Sequence, residues 1–257
     1  MKKIGVTYGV HGDERSSILL AKKLQQLTLP KTEIDIHGPI NKEAWYQGKR
    51  YIDNDLNRIF DESGTGYEAT LVDPLVSLLS QYDLLIDIHT FRMQSLLTSV
   101  NFGYNDYASS LPVDIVWDVD NKEKYDGTLA TRMEREGVPT LVLELSSINV
   151  IDQRQIDRAE HAIRTFIHSF PKTQRKIRNQ HFERKLLETN KAGVFTPTAK
   201  LMSYVDKGTV LGKIHESLTE THIIKAPCEG TLMQIRHKGW IPRKGSVAAI
   251  GRPKNGE

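Results

Sequence analysis

Short apolar runs at residues 4–8, 84–89 and 140–145 are separated by longer stretches whose apolar residues recur every three to four positions. That alternation is the main constraint on the fold. Runs of this length suit buried strands, and the helical spacing between them suits helices packed over the strand faces. The first run leads into a Gly-rich turn at residues 9–12. Residues 13–27 then place Ile18, Leu19, Leu24 and Leu27 at helical spacing, with Pro30 as a stop. A short strand at 33–37, a helix at 67–79, strands at 96–102 and 114–119, a helix at 127–136 ending at Gly137 and an amphipathic helix at 152–170 stopped by Pro171 complete the series. Strands alternating with helices predict an α/β layer fold. Residues 38–66 show no steady period and hold several Gly, Asn and Asp. A long ordered loop inside a compact domain is usually functional.

The pattern changes after about residue 175. Short strand-like runs and frequent Gly and Pro follow, with no long helix. Residues 208–214 and 245–251 repeat one pattern, with Ile224-Lys225-Ala226-Pro227-Cys228-Glu229-Gly230 between them. This predicts a small β domain, barrel or sandwich. A chain of 257 residues is long enough for one sizeable core and such an addition. The expected division is a catalytic domain at 1–172 and a β domain at 176–257.

Composition narrows the class of partner. The chain is 39% hydrophobic and 26% charged, as ordinary soluble proteins are. A net charge of +3, with basic and acidic residues interspersed, gives no footprint for nucleic acid. The basic cluster at 172–178 reads as a solvated connector. Cys228 is the single cysteine, so neither an intrachain disulfide nor a thiolate-rich metal site can form. The first residues turn polar too soon for a signal peptide, and no apolar run approaches the roughly 18 residues of a membrane span. The expectation is a cytoplasmic protein with no membrane or nucleic-acid partner, and with homo-oligomerisation open.

Polar residues of a particular kind end the apolar runs. His11 and Glu14 follow the first, in Gly9-Val10-His11-Gly12-Asp13-Glu14; His89 ends the second; Glu144 sits late in the third. Open α/β sheets place ligand sites at the carboxyl ends of strands. Two His and one carboxylate make a catalytic zinc shell with an open fourth position, so His11, Glu14 and His89 are candidate ligands. The same spacing also suits a turn histidine followed by a first-turn helix glutamate, and His89 alone suits a hydrogen-bonded strand end. Asp87, two residues back on the same strand face, could orient His89 or bond nearby backbone. A carboxylate as deep in an apolar strand as Glu144 needs a partner or a task. It is either a general base beside an activated water or a capped strand end near a cation. Arg50, Asn57 and Arg58 fall in the irregular stretch and are the residue types that grip a carboxylate. Arg92 and Arg135 lie near the same segments, and each taken singly could be a solvated charge.

Four segments, in this order, resemble the succinylglutamate desuccinylase/aspartoacylase family of zinc-carboxypeptidase-like hydrolases: Gly9-Val10-His11-Gly12-Asp13-Glu14, Asp55-Leu56-Asn57-Arg58-Ile59-Phe60, Asp87-Ile88-His89-Thr90 and Glu144-Leu145-Ser146. Residues 50–61 look most like aspartoacylase, whereas His89-Thr90 followed by Arg92 looks like the desuccinylase branch. The resemblance covers most of residues 1–170. It implies a three-layer α/β/α domain with a mixed central sheet. It also implies one zinc per chain on His11, Glu14 and His89, with Glu144 as general base and then proton donor to the leaving amine. Arg50 would stabilise the oxyanion, and Asn57 with Arg58 would hold the substrate carboxylate. Family members use a further arginine shortly before the catalytic strand; Arg135 is the nearest match and Arg132 competes. Ser146 stands where the family usually has Gly. The C-terminal region is similar to a biotinyl/lipoyl-type barrel, but residues 215–221 hold no lysine to modify, so no lipoyl or biotin attachment is expected. The domain would instead wall off the pocket.

The predicted activity is hydrolysis of the amide bond of an N-acyl amino acid, an acidic one of the N-acetylaspartate or N-succinylglutamate kind. The alternatives are a metallocarboxypeptidase acting on peptide C-termini and, more remotely, a non-catalytic binding protein.

Overall fold

Two-residue alternation along the apolar strands sorts their side chains onto opposite faces of a sheet, and this sorting gathers the polar residues. In the computed structural model, which describes residues 1–61, 64–121, 123–148, 150–170 and 180–253, the chain runs β1 (Lys2–Tyr8), α1 (Ser17–Gln25), β2 (Thr32–His37), α2 (Lys42–Gln47), α3 (Ala69–Leu79), β3 (Leu84–Thr90), β4 (Gln94–Ser95), β5 (Thr98–Asn101), α4 (Tyr107–Ser110), β6 (Ile115–Asp118), α5 (Leu129–Arg135), β7 (Thr140–Leu145) and α6 (Gln153–Ser169). Strands β8 (Gln180–Thr189), β9 (Gly193–Pro197), β10 (Tyr204–Val205), β11 (Val210–His215), β12 (Thr221–Lys225), β13 (Gly230–Ile235), β14 (Gly239–Ile241) and β15 (Gly245–Pro253) follow.

The central sheet is mixed. Strands β2, β1, β3 and β7 pair in parallel, and β5 runs antiparallel to β7. On β1, Ile4, Val6 and Tyr8 face a core shared with Leu84, Ile86 and Ile88 of β3 and Leu141, Leu143 and Leu145 of β7. Helices α1 and α6 cover that face through Leu20, Leu24, Ile156, Ile163 and Phe166. The opposite face carries Leu85 beneath α3 and α5, packed by Val72, Val76, Leu79, Leu129 and Met133. Helices therefore lie on both faces, as the sequence predicts.

The irregular stretch at 38–66 differs from expectation. It holds α2, capped by Asn41 accepting from Ala44 N, and a 3-10 turn at Leu56–Arg58, capped by Asp55 accepting from Asn57 N. Both are too short to show a period.

The C-terminal strands divide between two sheets. β8, β15, β13 and β10 continue the central sheet beyond β6, making it eleven-stranded with β4 among the described residues. Strands β12, β11, β9 and β14 form a second sheet. Phe195, Leu211, Ile214 and Ile241 of the second sheet share one core with Leu232, Val247 and Ile250 of the first. Two seams join this region to the catalytic layers: β6 with β8, and β4 with β13. The expected division at 172–176 touches residues outside the described ones, as does the basic cluster at 172–178.

Candidate active site

Face sorting builds the site. Thr7 on β1, Asp87 and His89 on β3, and Val142 and Glu144 on β7 lie opposite the α1/α6 core, and the parallel register sets His89 directly beside Glu144. The turn after β1 then brings in His11 and Glu14. Gly12 makes this possible: a Cβ there would lie 2.1 Å from the carbonyl carbon of Ala44, so only glycine lets the turn rest on α2.

Both imidazoles face one carboxylate. His11 Nδ1 lies 2.7 Å from Glu14 Oε1, and His89 Nδ1 lies 3.0 Å from Glu14 Oε2. Thr90 N donates to Glu14 Oε2 at 2.9 Å. The outer ring nitrogens are held by two further carboxylates. His11 Nε2 is 2.9 Å from Asp55 Oδ1, and His89 Nε2 is 2.8 Å from Asp87 Oδ2. Thr7 Oγ1 in turn donates to Asp87 Oδ1 at 2.7 Å. Ligand atoms of His11, Glu14 and His89 all lie within 4.8 Å of one another, and all three residues are buried. This donor set, with its outer carboxylates fixing ring orientation, fits a zinc ion.

The electrostatics follow from this packing. Burial alone would raise the Glu14 pKa, but His11 and His89 outweigh it and hold the carboxyl well below its usual range. Burial would lower His89, yet Asp87 and Glu14 raise it well above an ordinary histidine. Burial likewise opposes ionisation of Asp55, and His11 with Arg50 overcomes it. Glu144 behaves differently. Burial pushes it up to about 7, the neighbouring Glu14 adds to the shift, and His89 offsets part of it. Its Oε2 is sealed from solvent with no hydrogen-bond partner among the described residues.

A cavity of about 350 Å³ opens over these residues. Arg50, Asn57, Arg58 and Arg92 line it together with His11, Glu14, His89 and Glu144. Arg50 Nε donates to Asp55 Oδ2 at 3.0 Å and its Nη1 to Glu14 Oε1 at 3.3 Å. Asn57 Oδ1 accepts from Leu129 N at 2.8 Å. Arg58 donates to the Asn57 carbonyl and lies 5.5 Å from the Tyr125 ring centre. Arg92 is half exposed and paired with Asp13 at 2.9 Å. The structure corrects one expectation: Arg135 is not among the cavity residues, because Asp61 and Asp126 hold its guanidinium. Arg132 is also elsewhere, bonded to Glu136 and the Phe60 carbonyl. Sequence reasoning missed Asp55 as the partner of His11, and Tyr125, Trp117 and Arg184 as cavity walls. The acid in Asp55-Leu56-Asn57-Arg58 carried a signal as a turn cap; Arg184 carried none.

Residues 1–170 match the family model of the succinylglutamate desuccinylase/aspartoacylase catalytic domain, and the chain belongs to that family. Among curated proteins it is similar to a "Probable aspartoacylase" of Trichodesmium erythraeum, 26% identical over 121 residues, covering 42% of this chain and 41% of that one. A second protein of that name from Nostoc sp. is 29% identical over 119 residues, covering 40% and 37%. The chain thus matches less than half the length of these relatives. A crystal structure of a succinylglutamate desuccinylase/aspartoacylase from Rhodobacter sphaeroides superposes with a TM-score of 0.81 at 17% identity, covering 99% of this chain and 86% of that one. The product-bound ectoine utilization protein EutE (DoeB) from Ruegeria pomeroyi gives 0.81 at 18% identity, covering 97% and 85%. These structures share the mixed α/β fold. Among the described residues, no helix is long and apolar enough to cross a membrane.

Proposed function

We propose that this protein is a zinc-dependent amidohydrolase that removes the acyl group from an acidic N-acyl amino acid, of the N-acetylaspartate or N-succinylglutamate kind. The observation that carries this is the convergence of His11, Glu14 and His89 beside the unpartnered oxygen of Glu144. Residues 1–172 form the catalytic part on this view, and residues 176–257 close the cavity.

Zinc held by His11, Glu14 and His89 supplies Lewis acidity, which lowers the pKa of a water and polarises a carbonyl. Asp55 and Asp87 keep the two imidazoles turned inward. Glu144, raised to about 7, takes the proton of the attacking water and later gives it to the leaving amine. Arg50 stands beside Glu14 to donate to the developing oxyanion. Arg58 and Asn57 hold the substrate carboxylate and so place the amide for attack. A cavity of about 350 Å³ matches a small acyl amino acid.

The test pairs metal analysis by plasma mass spectrometry with amine release from a panel of N-acyl amino acids and short peptides. About one zinc per chain, with release from acidic N-acyl amino acids, is expected. Release from peptides alone would move the activity to a carboxypeptidase. Failure to retain zinc after loading and dialysis would remove the mechanism.

A further inference from the structure

We propose that Arg184 forms a second anion site in the cavity and selects substrates with two carboxylates; this rests on the deacylase function proposed above. Four arginines line the cavity: Arg50, Arg58, Arg92 and Arg184. Two are neutralised by the protein, Arg50 by Glu14 and Asp55, and Arg92 by Asp13. Arg58 and Arg184 have no carboxylate within 4 Å among the described residues. Arg58 donates only to a backbone carbonyl, and Arg184 makes no hydrogen bond to any described residue. Two guanidiniums without an ion pair in one cavity call for two negative groups on the ligand; Asp55 acts on Arg58, and Glu144 and Asp120 act on Arg184, only through space.

The position of Arg184 is set by strand geometry. Phe182 of β8 is the register partner of Trp117 on β6. Arg184, two residues further on, shares that face and lies diagonal to Trp117. Its guanidinium carbon is 4.1 Å from the Trp117 ring centre and 5.7 Å from that of Phe91. Stacking occupies the face of a guanidinium and leaves its N–H fork, which lies in the plane, open to a carboxylate. Trp117 Nε1 is buried with no acceptor among the described residues, and Trp117 lines the same cavity. Tyr125 lies near both groups: its ring centre is 5.8 Å from that of Trp117 and 5.5 Å from the Arg58 guanidinium carbon. Arg184 lies outside residues 1–170, the part that matches the family model. The anion site therefore comes from the C-terminal strands, whereas Arg58 comes from the catalytic layers.

The test measures binding and turnover separately. Calorimetry on zinc-free protein compares N-acetylaspartate and N-acetylglutamate with their side-chain amides, N-acetylasparagine and N-acetylglutamine. Wild type is expected to prefer at least one dicarboxylate over its amide by about tenfold to a hundredfold, the range of a charge-assisted contact. R184Q should bring that ratio close to one. R184K keeps the stem and charge but loses the planar fork, and should lower the ratio partway. If R184Q does not fold, R184K still has to lower it. An undiminished ratio in the folded variants, or no preference in wild type, overturns the anion site. Amine release by zinc-loaded wild type is read in parallel. A preference abolished in R184Q without any amine release keeps the anion site and defeats the deacylase function. Release with equal use of acid and amide does the reverse.

Discussion

At Glu144 burial and the charge of the nearby His89 act against each other, and burial prevails. Its pKa of about 7 lies above the ordinary 4.5, so the folded zinc-free protein binds a proton there more tightly than the unfolded chain does. Stability from this group is present below pH 4.5 and is lost as pH rises to about 7. Glu144→Gln removes the dependence. The variant should gain stability over wild type as pH rises, by at most about 3 kcal/mol at pH 8, and gain nothing below about pH 4.5. Denaturant melts of zinc-free protein at several pH values measure this; a constant difference between the two proteins would show that Glu144 does not titrate as described. The same variant should bind zinc normally but lose amine release by orders of magnitude. Asp55→Asn weakens the hold on His11 Nε2 and should cost about 10- to 100-fold in zinc affinity, read by competition with a chelating dye. That His11, Glu14, His89 and Glu144 gather at one sheet edge is legible in the sequence because each ends or follows an apolar strand, and alternation fixes the face for His89 and Glu144. Asp55 was visible only as part of a polar block. Its contact with His11 spans 44 positions of chain, and no local pattern encodes that.

Among the elements, the strands and longer helices of residues 1–170 are readable to within a few residues, whereas beyond them only the repeated runs at 208–214 and 245–251 mark strands. The signal is periodic burial, although in and just after α1 the structure buries Leu24, leaves Ile18, Leu19 and Leu27 half-buried, and turns Leu20 and Ala21 inward. Helix α2 escaped because six residues with one buried side chain, Ala44, carry no period. The loop before α5 packs on the turn that carries Asn57 and Arg58. Gly127 packs so closely on the 3-10 turn that a Cβ would lie 2.0 Å from the Arg58 carbonyl oxygen. Phe60 N donates to the Gly127 carbonyl at 3.1 Å, and Leu129 N donates to Asn57 Oδ1 at 2.8 Å. Gly127→Ala must therefore displace backbone that carries Asn57 and Arg58. It should raise KM for acidic N-acyl amino acids about tenfold or more and lower stability by about 1–3 kcal/mol, while zinc content stays near one per chain. Steady-state kinetics with metal analysis checks this. A variant with ordinary KM would mean that the turn can move without carrying Arg58 along.

At the scale of the whole molecule, the sequence showed a change of pattern near residue 175 but not that β8 and β13 pair with β6 and β4. Such pairings join strands distant in the chain, and a one-residue slip in register would reverse which side chains reach the cavity. The candidate ion site joins distant parts of the chain in the same sense, since the turn after β1 and the end of β3 meet only in the folded state. Zinc should therefore stabilise the fold, by about 2.7 kcal/mol when free zinc is 100 times its dissociation constant. The gain should depend on pH in a definite direction. His89 is raised well above 6.5 by Asp87 and Glu14, so its charged form stabilises the zinc-free protein fully below 6.5. That contribution fades as pH rises through the folded value. Zinc must displace this proton to reach the imidazole. Up to that raised folded value zinc competes with a protonated, well-paired His89, and above it zinc does not. The rise in Tm on adding a fixed zinc concentration should thus grow from pH 6 to pH 8, and calorimetry in buffers of different ionisation enthalpy should register proton release on binding. A pH-independent Tm shift with no proton released would mean that His89 is neutral before the metal arrives, and its pairing with Asp87 and Glu14 would then have to be redrawn.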